Sequence, residues 1–366
     1  MNYLTLTPTT DFLYLSIQIC LVLKNTGNEI FTAIRTLLGE AGKKILIVPH
    51  ENPDGDAIGS AIGLAEIITN IGHTVLIISP GDYPEFLKWF SSEVEIMVFD
   101  KNKTKAKTAF RNTDVLLCVD FNEAKRAGDL EKYILEFERP KILIDHHPFP
   151  VNFCDYTVSE PSYSSTAELI FDVLKKINFE KYINHSAAEA LYTGIMTDTG
   201  SFSHNTSNPN TFKVVSELMT HGINTDKIQS NVYHNFSESR MKLLGYCLNE
   251  KMEVFPKYRS AVIYISKEEL EQFNFEPGDT EGFVNYPLSI NNIVFSALFI
   301  EKEDFVKASF RSKGNFPSNA FSRDHFEGGG HLNASGGETN LPLNEAVEKF
   351  RQLLEQYKHQ LKDTNF

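Results

Sequence analysis

The sequence predicts an α/β protein: a doubly wound, mostly parallel sheet, joined by a helical linker to a smaller α+β domain. Three observations predict it. Short β-branched runs alternate with helical patterns over the first 145 residues, as strands with crossover helices do. The pattern turns helical between residues 165 and 248. From about residue 250 apolar and polar positions alternate as in antiparallel strands, and a helical pattern closes the chain. The expected parts are an extension over residues 1–27, a first domain over 28–236, a linker helix over 237–252 and a second domain over 253–366.

Each element has its own signal. Residues 28–39 form an amphipathic pattern ahead of the first strand, the run ILIV at 45–48, which Pro49 ends. A helix is expected over 56–71, then strands at 74–79 (TVLIIS) and 93–99. DVLLCV at 114–119 and KILI at 141–144 read as buried strands, with a helical pattern over 129–137 between them. Helices are expected at 165–176, 186–196, 210–221 and 238–249. Antiparallel strands are expected at 254–265, 293–301 and 305–310, and a last helix at 343–358.

A chain of 366 residues, 42% hydrophobic and 23% charged, can bury one large core or two ordinary ones. Its formal net charge of −13 argues against coating long nucleic acid, because that binding rests on Lys and Arg neutralising many phosphates. A short phosphorylated substrate held by metal ions and a few local cations remains compatible with it. Cys20, Cys118, Cys154 and Cys247 show no paired spacing, which points away from a zinc site or disulfide framework and toward a reducing cytoplasm. The apolar stretch at 12–23 has no basic leader, and it is too short to span a bilayer. It reads either as an extension from a mis-set start or as a packed helix, and no membrane association is expected.

The chemistry lies at strand ends. His50, Asp54 and Asp56 follow the first strand; Asp120 ends DVLLCVD; Asp145, His146 and His147 end KILIDHH. Asp198 closes a helical pattern in GIMTDTGSF. Open parallel sheets bind ligands at the carboxyl ends of their strands. Clustered buried carboxylates repel one another and lose hydration, a cost that cations remove. The mixed Asp and His set suits manganese, with magnesium or cobalt as other choices, and there are enough groups for two ions. Two such ions about 3.5–4 Å apart can hold phosphoryl oxygens and activate a water between them, the chemistry of phosphoester hydrolysis.

His50-x₃-Asp54-x-Asp56, Asp120, Asp145-His146-His147 and Asp198, in that order, resemble the DHH phosphoesterase superfamily. In the second half Phe310-Arg311-Ser312, Gly328-Gly329-Gly330-His331 and Asn333-Ala334-Ser335-Gly336-Gly337 are similar to the DHH-associated domain of nanoRNases. The resemblance covers roughly residues 44–339. It implies a manganese-dependent, cytoplasmic hydrolase of very short RNA and of 3′-phosphoadenosine 5′-phosphate, with its site in a cleft between the domains. It also implies roles: His50 and Asp54 on one ion, Asp56, His146 and Asp198 on the other, Asp120 bridging. Asp145 would orient a histidine, and His147 would meet the scissile phosphate and donate a proton to the leaving group. Arg311, Ser312, Gly328, Gly329, Gly330 and His331 would bind the rest of the nucleotide. Arg126 lies where relatives place an arginine near the substrate, against the alternative of a solvated helix cation. Ser203 and His204 stand where relatives often carry arginine and tyrosine, which leaves substrate contacts at that loop open. The alternatives are a soluble phosphodiesterase of cyclic or linear dinucleotides and a non-catalytic nucleotide-binding regulator. The oligomeric state, monomer or homodimer, is not set by these motifs.

Overall fold

The computed structural model describes residues 28–90, 92 and 94–365. The expected extension over 1–27, with its apolar stretch at 12–23, and Glu93 of the expected third strand lie outside the described residues. The chain divides into two compact units, one ending at Asn231 and the other beginning at Val232.

The first unit contains a six-stranded sheet. Its strands are β1 (Lys44–Val48), β2 (Thr74–Ser79), β3 (Ile96–Val98), β4 (Val115–Val119), β5 (Lys141–Asp145) and β6 (Tyr156–Ser159). Every pairing is parallel, in the order β3-β2-β1-β4-β5-β6. The chain therefore builds outward from β1 on one side and then restarts at β4 on the other. The β1–β4 junction is the switch point at which such sheets bind ligands. Buried β1, β4 and β5 residues explain why their sequences are continuous apolar runs rather than alternating ones.

The helices of this unit are α1 (Asn28–Gly39), α2 (Gly55–Ile71), α3 (Lys103–Asn112), α4 (Glu131–Leu135), α5 (Thr166–Lys176), α6 (His185–Asp198), α7 (Pro209–Met219) and α8 (Thr225–Tyr233), the last running across the division into the second unit. Asp54 caps α2 by accepting from Asp56 N and Ala57 N at 3.0 and 3.1 Å. The close approach of α2 and α6 depends on glycine: a Cβ on Gly59 would lie 2.5 Å from Ala190 O, and one on Gly194 would lie 2.9 Å from Asp56 Oδ1. The expected helix over 129–137 is instead a 3₁₀ stretch, Ala124–Leu130, followed by the short α4. Gly128 breaks the helical path within the 3₁₀ stretch at φ 54°. Strand β6 escaped the sequence reading because its four residues carry no apolar run.

The second unit holds α9 (Glu238–Glu250), β7 (Met252–Phe255), β8 (Ser260–Ile265), α10 (Lys267–Gln272), β9 (Phe295–Glu301), β10 (Val306–Ser312), α11 (Ser318–His325), β11 (Gly329–Gly330), β12 (Ala334–Thr339), α12 (Leu343–Gln356) and α13 (Lys358–Asp363). Its sheet runs β11-β12-β10-β9-β8-β7. The β8–β9 pair is parallel, which corrects the expectation of an all-antiparallel set. Residues 266–294 supply the long crossover that parallel neighbours require. The expected single strand over 254–265 is a hairpin, β7–β8, turned at Pro256–Tyr258 with Arg259 left-handed. Leu243, Leu244 and Cys247 of α9 pack with Ile263, Ile265 and Phe283, so this helix shares the second unit's core. A larger core gathers Phe295, Phe299, Phe310, Phe316, Phe321, Phe326 and Phe350.

Candidate active site

The first unit brings six predicted side chains together. His50 leaves the end of β1, and its Nε2 lies 3.8 Å from Asp54 Oδ1 and 3.6 Å from Asp120 Oδ2. Asp120, one residue beyond β4, adopts φ 67°, a left-handed conformation held by its surroundings. His146, one residue beyond β5, points Nε2 at Asp56 Oδ2 (3.8 Å), Asp120 Oδ1 (3.7 Å) and Asp198 Oδ2 (3.6 Å). Three groups of donors result within the first unit, His50–Asp54–Asp120, Asp56–His146–Asp198 and Asp120–Asp145–His147, and the two oxygens of Asp120 face His50 and His146 respectively.

The donor set fits divalent cations. His50 Nδ1 sits 2.7 Å from Glu51 O and His146 Nδ1 3.2 Å from Tyr163 O. Each Nδ1–H is therefore given to a carbonyl, which leaves Nε2 to face the carboxylates as metal-bound imidazoles do. The 3.6–3.8 Å separations are too long for hydrogen bonds but fit two donors each about 2.0–2.2 Å from a shared ion. Without a metal, protons carry the positive charge. Burial works to lower the His50 pKa, but the nearby carboxylates of Asp120 and Asp54 outweigh it and raise it to about 10. Burial, with the charges of Asp120 and Asp198 beside it, pushes the Asp56 carboxyl well above the usual carboxylate range.

His147 serves a different geometry. Its Nδ1–H donates to Asp145 Oδ1 at 2.7 Å, and the same nitrogen lies 3.7 Å from Asp120 Oδ1. Burial drives the imidazole down to about 3 and the Asp145 carboxyl up to about 6. Asp145 Oδ2 is buried with no hydrogen-bond partner among the described residues. Arg126 is half-buried in the 3₁₀ stretch after Asp120, and its charge lowers the pKa of both Asp145 and His147.

The first turn of α5, expected from the sequence only as the start of a helix, completes the site. Thr166 N and Ala167 N donate to the two oxygens of Asp56 at 2.6 and 2.9 Å. Thr166 Oγ1 donates to Asp120 Oδ1 at 2.8 Å and accepts from His146 N at 3.3 Å. The available signal was Ser165-Thr166-Ala167-Glu168, a serine N-cap three residues before a glutamate.

The second unit carries the other candidates. The Arg311 guanidinium donates to Phe310 O at 3.0 Å. The Ser312 hydroxyl is buried and donates to Phe316 O at 2.7 Å, so it braces the loop. Gly328 is packed on backbone, since a Cβ there would meet Gly336 O at 2.0 Å, whereas Gly329 faces open space. Gly330 has φ 135° and precedes His331, whose N–H donates to Ala334 O at 2.8 Å.

Comparison with known proteins follows the same division. The DHH family N-terminal domain matches residues 44–195 and the DHHA1 domain matches residues 258–360. A crystal structure of an exopolyphosphatase-related protein from Bacteroides fragilis is 41% identical, with a TM-score of 0.87 over 92% of this chain and 98% of that one. The chain belongs to the DHH family. It is also similar in sequence to the probable bifunctional oligoribonuclease and PAP phosphatase NrnA of Streptococcus mutans, at 29% identity over 320 residues, 86% of this chain and 97% of that protein. RecJ of Thermus thermophilus, crystallised with Mn2+, shares the fold at 15% identity and a TM-score of 0.53, over 91% of this chain and 55% of that one. The DHH motif itself is Asp145-His146-His147. Among the described residues no helix is long and apolar enough to cross a membrane.

Proposed function

We propose that this protein is a metal-dependent phosphoesterase that cleaves very short RNA to mononucleotides and dephosphorylates 3′-phosphoadenosine 5′-phosphate to AMP. The observation that carries the reading is the pair of donor groups sharing Asp120 at the switch point of the sheet. The named activities of the Streptococcus mutans relative support the substrate class. His50, Asp54 and one oxygen of Asp120 would hold one ion; Asp56, His146, Asp198 and the other oxygen would hold a second, with Mn2+ as the favoured metal. When bound, such ions supply Lewis acidity for the phosphoryl oxygens and a water acidic enough to attack near neutral pH.

The chain's own groups do the rest. Asp145 fixes the His147 ring through Nδ1, so the opposite face of the imidazole is presented in one orientation. In the metal-free protein that ring is neutral at pH 7. A phosphate anion beside it raises its proton affinity, which lets His147 hold a proton and pass it to the leaving oxygen. The positive charge of Arg126 opposes early protonation of His147 and attracts the phosphate. In the second unit Arg311 and His331 are assigned to nucleotide recognition, with Ser312 and Gly328 shaping the loop that carries them. We place the enzyme in the cytoplasm.

A product time course on 5′-labelled RNA of about two to twenty-four nucleotides tests this, run beside the bisphosphate nucleotide and cyclic dinucleotides with Mn2+ present. The reading expects release of mononucleotides from the shortest RNAs and of phosphate from the bisphosphate. Preferential cleavage of cyclic dinucleotides would make the protein a second-messenger phosphodiesterase instead, and no hydrolysis at all would leave a binding protein.

A further inference from the structure

We propose that Thr166 is a positioning residue that sets the affinity of the Asp56–His146–Asp198 group for its ion, separately from the His50–Asp54 group. The inference rests on the two-ion reading above. Thr166 touches three of the six assigned ligands and belongs to none of their strands or helices. Its hydroxyl donates to Asp120 Oδ1 at 2.8 Å, the oxygen that faces His146, and leaves Asp120 Oδ2 to face His50. The same hydroxyl accepts from His146 N at 3.3 Å, and the backbone N–H of Thr166 holds Asp56 Oδ2 at 2.6 Å. Tyr163, three residues earlier, supplies the carbonyl that fixes the His146 ring.

The turn is itself rigidly braced. Glu168 is wholly buried and accepts from Ser164 N at 3.0 Å, Ser164 Oγ at 2.6 Å, Thr211 Oγ1 at 3.0 Å and Asn210 Nδ2 at 2.9 Å. The turn is thus tied to α7 behind it while Thr166 reaches the ligands in front. A hydroxyl at 166 can donate and accept at once, which a carboxylate or an aliphatic side chain cannot. It also distinguishes the two oxygens of Asp120: the one facing His146 is bonded to Thr166 and the one facing His50 is not.

The test is a calorimetric titration of the metal-free full chain with Mn2+, with Asp198→Asn marking which binding step belongs to the Asp56–His146–Asp198 group. Thr166→Val should weaken that step by about 10–100-fold and leave the other within about threefold, and Thr166→Ser should restore it. If the valine variant does not fold, Thr166→Cys, which keeps a buried side chain with only a weak donor, carries the same expectation. Unchanged titrations, equal weakening of both steps, or a serine variant as weak as valine would overturn the role of Thr166. Failure of the unmodified protein to bind Mn2+ would instead overturn the two-ion reading beneath it.

Discussion

Replacing Gly194 by alanine tests the packing that assembles the site. A Cβ there would lie 2.7 Å from Ala167 Cβ and 2.9 Å from Asp56 Oδ1. Ordinary carbon contacts lie near about 3.5–4.0 Å, so α6 or the Ala167 turn must yield by roughly 1 Å. Overpacking of this kind costs about 1–3 kcal/mol of stability. The chemical cost is larger, because the displaced parts carry Asp198, Asp56 and the Thr166 turn, and a misplacement of about 1 Å can cost roughly 10²-fold in rate. Gly245→Ala is the control. It lies within α9 with nothing inside 4 Å of the added carbon, so it should gain about 0.5–1 kcal/mol and keep full activity. Thermal melts, Mn2+ titration and kcat/KM on a dinucleotide read all three effects. Full metal affinity and full turnover in Gly194→Ala would refute the claim that this helix contact sets the ligand geometry.

Mn2+ affinity should rise with pH. The metal-free protein holds a proton on His50, whose pKa is raised to about 10, and favours one on Asp56, and both must leave when an ion binds. Affinity should therefore fall by at least about tenfold per pH unit below that range, with proton release visible when calorimetry is repeated in buffers of different ionisation heat. A pH-independent affinity would contradict the ligand assignment. His147→Ala should keep metal occupancy and lose about 10²–10⁴-fold in kcat, whereas loss of metal would make His147 a ligand. Arg311→Ala should lower kcat/KM on dinucleotides by about 10–100-fold, the equivalent of a charge-assisted hydrogen bond, and leave a small generic phosphodiester almost unaffected. Equal losses on both would assign Arg311 to the fold.

The parallel sheet was legible because β1, β4 and β5 are buried on both faces, which writes an uninterrupted β-branched run for each. The acidic and imidazole groups at their ends were legible for the same reason: polar residues directly after such runs stand out. Asp198 needed the motif order, since its helix reaches Asp56 through the close α2–α6 packing at Gly59 and Gly194. What escaped was structure set by distant partners. The parallel β8–β9 pairing is fixed by a crossover, and the four-residue β6 only by pairing beside β5. Thr166 is an ordinary residue type in a capping sequence, and its importance comes from Asp56 and Asp120, 110 and 46 residues away. The hydrogen bond from the Ser312 hydroxyl to Phe316 O is likewise set by the fold of the loop and not by any local sequence signal.

The central claim is that the groups around Asp120 hold the ions on which hydrolysis depends. Metal content and dinucleotide cleavage measured on the same samples, as Mn2+ is removed by chelator and then restored, test it most directly. The account predicts two Mn2+ per chain at full activity, no activity after removal, recovery on restoration, and neither binding nor recovery in Asp120→Ala. Undiminished cleavage in excess chelator, or an Asp120→Ala variant that binds both ions and turns over normally, would contradict it.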